Sequence, residues 1–193
     1  MRLRHEVQEV PRRLTRPDPP LSDDAILLEP LRRGLAPEFE WAAAGDPEIV
    51  RFTLIPTNPD ATFVAEWLGR YENGWLDGTR AGFAIRGADD EAALGFAAIV
   101  TLDLDKREGE IGYALPLEGR GRGTATRAVS LLTRWGLDQL GLQRLELRID
   151  VRNTASERVA ERCGYRRDGI LRSLHVKEGL RGDVGVWSRL ASD

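Results

Sequence analysis

Cysteine is almost missing from this chain: Cys163 is the only one in 193 residues. A lone thiol excludes an intramolecular disulfide and a cysteine-rich zinc site. Histidine is nearly as scarce, and His5 and His175 lie too far apart in sequence to suggest a structural metal, so none is expected. No stretch approaches the ~18 consecutive apolar residues of a membrane span. The N-terminus lacks the apolar core of a signal peptide, so a cytoplasmic location without membrane contact is expected. Neither sign of charge dominates, with 28 Lys and Arg against 31 Asp and Glu. The resulting net charge of −3 argues against a dedicated nucleic-acid binder. Arginine greatly outnumbers lysine, and alanine and glycine are abundant, as in GC-rich bacterial genomes. With 41% hydrophobic and 31% charged residues, the composition is that of a soluble globular protein.

The length suits one domain. Residues 1–22 carry several arginines, with three prolines between 17 and 20, and no sustained period, and read as an N-terminal arm, flexible in part. Residues 23–193 read as the single domain. Residues 25–31 are strand-like, and a helix is expected around Pro37–Ala44, closed by Gly45. Asn58-Pro59-Asp60 signals a helix start. Val64, Trp67, Leu68 and Tyr71 follow at helical spacing, and Asn73-Gly74 reads as the end. Residues 81–86, 93–102 and 110–115 then read as strands joined by the polar turns 87–91 and 103–109, an antiparallel meander. The helix expected from about Thr124 to Leu140 sets Ala125, Ala128, Val129, Leu132 and Trp135 on one face, with Gly141 as its cap. Leu145, Leu147 and Ile149 alternate with Glu146, Arg148 and Asp150, so a strand follows, giving a right-handed parallel crossover. A further helix begins at Asn153-Thr-Ala-Ser156 and ends at Gly164. Residues 165–171 and 183–190 read as two closing strands in a hairpin.

The sharpest local signal is Arg120-Gly121-Arg122-Gly123-Thr124-Ala125, with Thr126 next, between a strand and a helix. Glycines let backbone N–H groups approach and face an anion, and a helix opening directly afterwards adds free N–H groups and a positive dipole end. Arg120 and Arg122 add charge-assisted donors. Strand, glycine loop and helix N-terminus together suit a phosphate or pyrophosphate. The segment lacks the Lys-Ser or Lys-Thr of a Walker loop and the third glycine of a dinucleotide fingerprint. It fits R/Q-x-x-G-x-G/A throughout.

At these residues the chain resembles the GNAT superfamily of acyl-CoA N-acyltransferases. Further points of resemblance are Asn153-x-x-Ser156-x-x-x-Ala160-x-x-x-Gly164-Tyr165, Glu110-Ile-Gly-Tyr113 before the loop, and Gly182-Asp183 ahead of an apolar strand. These are similar in particular to the ribosomal-protein alanine N-acetyltransferase branch, over roughly residues 25–190. The resemblance implies a mixed α/β (α+β) fold. Its central sheet is mostly antiparallel, a parallel strand pair splays at the coenzyme A site, and helices cover both faces. It implies acetyl-CoA as acyl donor, with the loop 120–126 around its pyrophosphate. Backbone N–H groups of Tyr113, Ala114 and Leu115 would bind pantetheine and polarise the thioester, and Asn153 and Ser156 would touch the pantetheine arm.

The implied chemistry moves an acetyl group to a primary amine by direct transfer through a ternary complex. The amine must lose a proton, the carbonyl oxygen must be stabilised, and the leaving thiolate must gain a proton. Glu110, ahead of the splay, is the candidate base, with Glu108 a weaker alternative. Many members carry a Tyr acid where this chain has Ala160, which leaves Ser156 as the candidate acid. Tyr165 reads as packing, and Cys163, on an inner helix face, as a small core residue rather than an acyl carrier. His175 reads as a surface residue able to line the acceptor site. Trp41, Trp67 and Trp75 fall where family members build the acceptor wall. Trp67 reads as core, and Trp75 is the one placed to touch a substrate. The acceptor is open between a protein N-terminus and a small amine, and a homodimer is plausible from the family. A non-catalytic acyl-CoA-binding module is the alternative, kept alive by Ala160. A nucleotide-binding interaction protein ranks third.

Overall fold

In the computed structural model, residues 14–43, 46–57, 59–87, 93–177 and 179–193 are described, apart from the side chains of residues 41–43 and 61. The expected helix closure at Gly45, the start at Asn58, the turn around 88–91 and the side chain of Trp41 lie outside that set. The described strands form one sheet in the order β1-β2-β3-β4-β5-β6-β8-β7. They are β1 (Leu21–Ser22), β2 (Ile26–Pro30), β3 (Ala81–Gly87), β4 (Ala93–Asp103), β5 (Glu108–Ala114), β6 (Arg144–Asp150), β7 (Arg166–Lys177) and β8 (Leu180–Leu190). Neighbours are antiparallel except β5 and β6, the parallel pair that the strand–helix–strand pattern requires.

Strand alternation divides the core between two faces. Phe83, Ile85, Ala97 and Ile99 point to one side, with Leu145, Leu147 and Ile149 of β6. Helices α3 (Thr124–Arg134) and α4 (Thr154–Arg162) cover that side through Ala128, Val129, Leu132 and Ala160. Ala84, Phe96, Ala98 and Ala114 point to the other, beneath α2 (Ala61–Asp77) and a 3-10 helix over Arg33–Ala43. There Trp67 meets Phe96 edge-on at 4.7 Å between ring centroids, so Trp67 is core, as its helical spacing indicated. Leu14 and Leu21, within the segment the sequence assigns to the arm, are buried against the first face.

Four local expectations are corrected. The helix expected at 37–44 is a 3-10 helix from Arg33, interrupted at Phe39 (φ −107°), because Pro37 cannot donate an i−4 bond and Phe39 is drawn fully into the core. Helix α2 does not end at Asn73-Gly74. It runs to Asp77 and closes on left-handed Gly78 (φ 74°), since Trp75 is 3% exposed and packs on Phe83 and Trp135. Trp75 is therefore core, not substrate wall. The closing strands are longer than expected, with β7 reaching Lys177 and β8 starting at Leu180 around left-handed Gly179. The helix expected to 140 is α-helical to Arg134, widens into a π turn over Trp135–Gln139, and stops at Gly141 (φ 68°).

Candidate active site

β5 and β6 pair only over Glu108↔Arg144, Gly109↔Leu145 and Glu110↔Glu146. Beyond Glu110, β5 stays with β4 to Ala114, while β6 stays with β8 to Asp150. The two strands therefore splay, and their facing edges share no ladder bonds over 111–114 and 147–150. A register shift between Ile99 and Thr101 of β4 sits directly opposite Glu110, a position where bulges re-aim side chains.

Tyr113 to Leu115 end β5, and a 3-10 turn at Leu117–Gly119 leads into the glycine loop. Gly119 is buried, and a Cβ there would run into the Leu94 carbonyl. Gly121 (φ 79°) and Gly123 (φ 78°) are left-handed, and a Cβ on either would meet only open space. Their conformation, rather than crowding, calls for glycine. Gly123 opens α3 without a side-chain cap, and the first helix N–H groups, at Thr124, Ala125 and Thr126, have no intrahelical acceptor. The loop, the helix end and the splay thus lie in succession along the chain, as the motif demands. Arg122 is exposed. Arg120 turns away from that role: its guanidinium holds Asp46 at 2.7 Å and Glu48 at 2.8 Å, and its Nε donates to the Leu115 carbonyl at 2.9 Å. Asp46 in turn caps the short helix α1 (Pro47–Phe52) by accepting from the Glu48 and Ile49 N–H groups. Burial alone would raise the Asp46 carboxyl, but Arg120 and the two N–H groups outweigh it and hold the group below its ordinary range.

The side chain of Glu110 lies on the α2 side of the sheet, with Ala114. Burial raises its pKa, Arg148 opposes that, and Glu146 reinforces it. The Arg148 Nε stands 3.4 Å from Glu110 and 3.3 Å from Glu146. Glu108 sits at the exposed start of β5. Tyr113 points to the opposite face, toward α4, where its hydroxyl is out of solvent and closes no hydrogen bond of normal geometry. Burial pushes that hydroxyl up to about 12, with the neighbouring Ser156 side chain favouring the ionised form. Asn153 caps α4 by accepting from the Ser156 N–H at 3.0 Å, so both residues stand at the helix start that the sequence indicated.

Cys163 is 3% exposed, lies 3.4 Å from both the Ser130 hydroxyl and the Thr126 carbonyl, and has its thiol pKa raised by burial. A thiol held protonated is a poor acyl carrier. Tyr165 is buried with its hydroxyl 2.8 Å from Thr133, a packing role. No cluster of His, Cys, Asp and Glu able to hold a metal occurs among the described residues.

On the Glu110 side, the hairpin of β7 and β8 faces the segment 50–57. Lys177 bridges them, its ammonium donating to the carbonyls of Val50, Thr53 (3.0 Å) and Ile55 (2.6 Å). A cleft of about 280 Å³ lies here, lined by Arg51, Arg152, His175, Lys177 and Arg181. His175 is thus a cleft residue, 3.7 Å from the buried Asp150 carboxylate. Apart from His175, the residues of this cluster, with Glu146 and the Tyr113 hydroxyl, were not marked by the sequence. Their signal was the run of charges at 146, 148, 150 and 152, whose alternation marks only a strand.

With the splay, the loop and the carboxylate together, comparison with known proteins becomes decisive. The family model described as an acetyltransferase (GNAT) domain matches residues 25–166. The chain belongs to the GNAT acetyltransferase family. YdaF of Bacillus subtilis (strain 168), named as a ribosomal N-acetyltransferase, is 30% identical over 142 residues, 72% of this chain and 74% of the relative. Among solved structures, the ribosomal L7/L12 α-N-protein acetyltransferase RimL in complex with coenzyme A superposes with a TM-score of 0.79 at 17% identity, over 89% of this chain and 96% of that one. The microcin C7 self-immunity acetyltransferase MccE, in complex with acetyl-CoA and AMP, gives 0.79 at 18% identity over 87% and 93%. At such identities these structures speak for the fold, and the fold is the expected one: a mostly antiparallel sheet with one parallel pair and helices on both faces. No described helix is long and apolar enough to cross a membrane.

Proposed function

We propose that this acyltransferase moves an acetyl group from acetyl-CoA to a primary amine by direct transfer, with the α-amino group of a protein as acceptor. The single observation that carries the reading is the succession of splayed parallel strands, left-handed glycines at 121 and 123, and an uncapped helix N-terminus, with a burial-raised carboxylate at the last paired position before the splay. Backbone N–H groups of Gly121 to Thr126 and the Arg122 side chain hold the pyrophosphate. Those at Tyr113–Leu115 polarise the thioester carbonyl, and Asn153 and Ser156 contact the pantetheine arm. Arg120 acts at one remove, by fixing the loop to α1. A protein acceptor is favoured by the likeness to YdaF and RimL.

Each chemical step falls to a residue of this chain. Glu110, its affinity for a proton raised by burial, takes the proton from the attacking amine. Ser156 supplies the proton to the leaving thiolate, supported by the adjacent Tyr113 hydroxyl. Base and acid lie on opposite faces of the sheet, and the splay connects them.

Calorimetry with acetyl-CoA on the wild-type chain and on Gly123→Glu tests the reading. Micromolar binding that is lost in the variant, with turnover on peptides bearing a free N-terminus, is expected. Binding without turnover on any amine would favour a non-catalytic acyl-CoA-binding module. No binding, and no stabilisation where saturating ligand gives roughly 2–4 kcal/mol, would end the enzyme reading.

A further inference from the structure

The cleft between α1 and the β7–β8 hairpin differs in charge from the rest of the molecule. The chain carries a net charge of −3, yet Arg51, Arg152, Lys177 and Arg181 line this cleft together with His175. Among the described residues, the carboxylate beneath Arg152 and His175 is Asp150, with a side chain 2% exposed. It is already occupied, since Arg152 holds it through Nε at 2.8 Å and Nη2 at 2.6 Å. Those contacts, with burial opposing, bring the Asp150 carboxyl down to about 2, so it stays charged and fixes Arg152 in place. Asp183, nearby on β8, is turned to the Ser173 N–H at 2.8 Å. Lys177 is committed to backbone carbonyls, but its charge remains. Arg51 and Arg181 are exposed at the rim. Among the described residues, four cations thus line a concave site in which Asp150 and Asp183 are already engaged, and low-dielectric walls focus the field.

The cleft's position ties it to the chemistry. Glu110 is in register with Glu146, and Glu146, Arg148 and Asp150 share one face of β6. Asp150 stands four residues beyond Glu146, roughly 13 Å along the strand. An acceptor whose amine reaches Glu110 therefore extends over Arg148 toward the cationic cleft.

We infer that this cleft is an anion subsite of the acceptor site, and that the preferred acceptor carries a carboxylate or phosphate about two to four residue-lengths from its amine, the span left to cross once an arginine side chain reaches inward. The inference rests on the acetyl-transfer reading above and narrows its substrate class. A guanidinium cluster suits both oxyanions through bidentate bonds. The same field repels an acceptor with lysine or arginine near its amine, which gives selection by exclusion as well as by contact.

The test is direct binding, separate from turnover. The chain saturated with coenzyme A is titrated calorimetrically with the tetrapeptide amides Ala-Glu-Glu-Gly, Ala-Gln-Gln-Gly and Ala-Lys-Lys-Gly, and with 6-aminohexyl phosphate beside 6-aminohexanol, whose chain is long enough to span from Glu110 to the cleft. The acidic member of each set is expected to bind at least tenfold more tightly than the neutral one, with the preference shrinking at high salt. In Arg51→Glu/Arg181→Glu the preference disappears while coenzyme A affinity is unchanged. The milder Arg51→Gln/Arg181→Gln pair, checked for an unaltered melting temperature, gives a partial loss. Comparing the acidic peptide with 6-aminohexyl phosphate shows whether the anion belongs to a polypeptide or to a small phosphorylated amine. Equal binding of acidic and neutral probes, no binding of any acidic probe at millimolar concentration, or a preference untouched by charge reversal overturns the inference. Failure of the acetyl-transfer reading has a different signature: the acidic preference persists, but acetyl-CoA fails to bind or no acetylated product forms.

Discussion

The guanidinium of Arg120 lies 2.7 Å from the carboxylate of Asp46, a residue 74 positions earlier in the chain. Together with the bond to Leu115, this pins the glycine loop to the N-terminus of α1. The motif's first arginine therefore acts as a strut. Arg120→Ala removes three charge-assisted hydrogen bonds and leaves Asp46 without its cation, a cost of about 1–3 kcal/mol, read as a lower melting temperature. Asp46→Asn is expected to weaken acetyl-CoA binding in the same direction as Arg120→Ala. If instead Asp46→Asn tightened binding by freeing Arg120 for the ligand, the strut role would be wrong. The pair is also pH-linked. The folded pKa of Asp46 is depressed, so its contribution is present above the unfolded carboxylate pKa and is lost as pH falls through the folded value.

Two glycines on either side of Arg120 and Arg122 separate structure from ligand contact. At Gly119 a Cβ would enter the Leu94 carbonyl, and backbone cannot swing aside. Gly119→Ala should therefore lower the melting temperature. At Gly123 a Cβ meets open space, and only the left-handed φ of 78° is strained, at about 1–2 kcal/mol. Gly123→Ala should show the smaller change in melting temperature and the larger loss of acetyl-CoA affinity by calorimetry. The reverse order would make the loop purely structural.

Much of this arrangement was legible beforehand because its signals are local. Gly121, Gly123, Gly141 and Gly164 take the left-handed conformations that their places at loop and helix ends require, and Asn153 caps the helix it was expected to start. The parallel pair followed from chain order. Misreadings arose where distant packing outweighed local preference. Asn73-Gly74 reads as a stop, yet burial of Trp75 against Phe83 and Trp135 carries α2 through it, and Gly74 is needed because Arg80 lies over it. Likewise, the alternation of charged residues marked β6 only as a strand, whereas the hairpin folds back so that Arg152 lines a cleft over the buried Asp150. Arg120 read as a ligand donor because nothing near it in sequence shows that Asp46 would claim it.

Glu110 should trade stability for activity. Its folded pKa is raised by burial, with Arg148 opposing and Glu146 adding. The folded chain thus binds that proton more tightly than the unfolded one. The associated stability is present below the unfolded pKa and is lost as pH rises through the folded value. At pH 7 the ionised group is a net burden, so Glu110→Gln should melt no lower than wild type. Its turnover should nevertheless fall at least tenfold, on the scale of a removed general base, with acetyl-CoA affinity retained. In wild type, kcat/KM should rise with pH through a pKa above the ordinary carboxylate range, and that limb should vanish in the variant. Unchanged turnover would remove Glu110 from the mechanism.

Tyr113 offers the complementary case on the opposite face. Its hydroxyl is out of solvent, closes no hydrogen bond of normal geometry, and is pushed up to about 12 by burial. It is therefore protonated at neutral pH and has a proton to offer next to Ser156. Because the hydroxyl is buried with the Ser156 side chain beside it, Tyr113→Phe should change the melting temperature little. If the hydroxyl backs Ser156 in protonating the leaving thiolate, Tyr113→Phe lowers kcat with little change in the KM for acetyl-CoA. Ser156→Ala lowers kcat further, and the double variant falls no lower than Ser156→Ala, because both residues serve one proton transfer. Using a thioester with a more acidic leaving thiol should restore the rate of each variant toward wild type, since that thiolate needs less help to depart. Full turnover in Tyr113→Phe would reduce the residue to packing, and the proton would then have to come from Ser156 alone or from water.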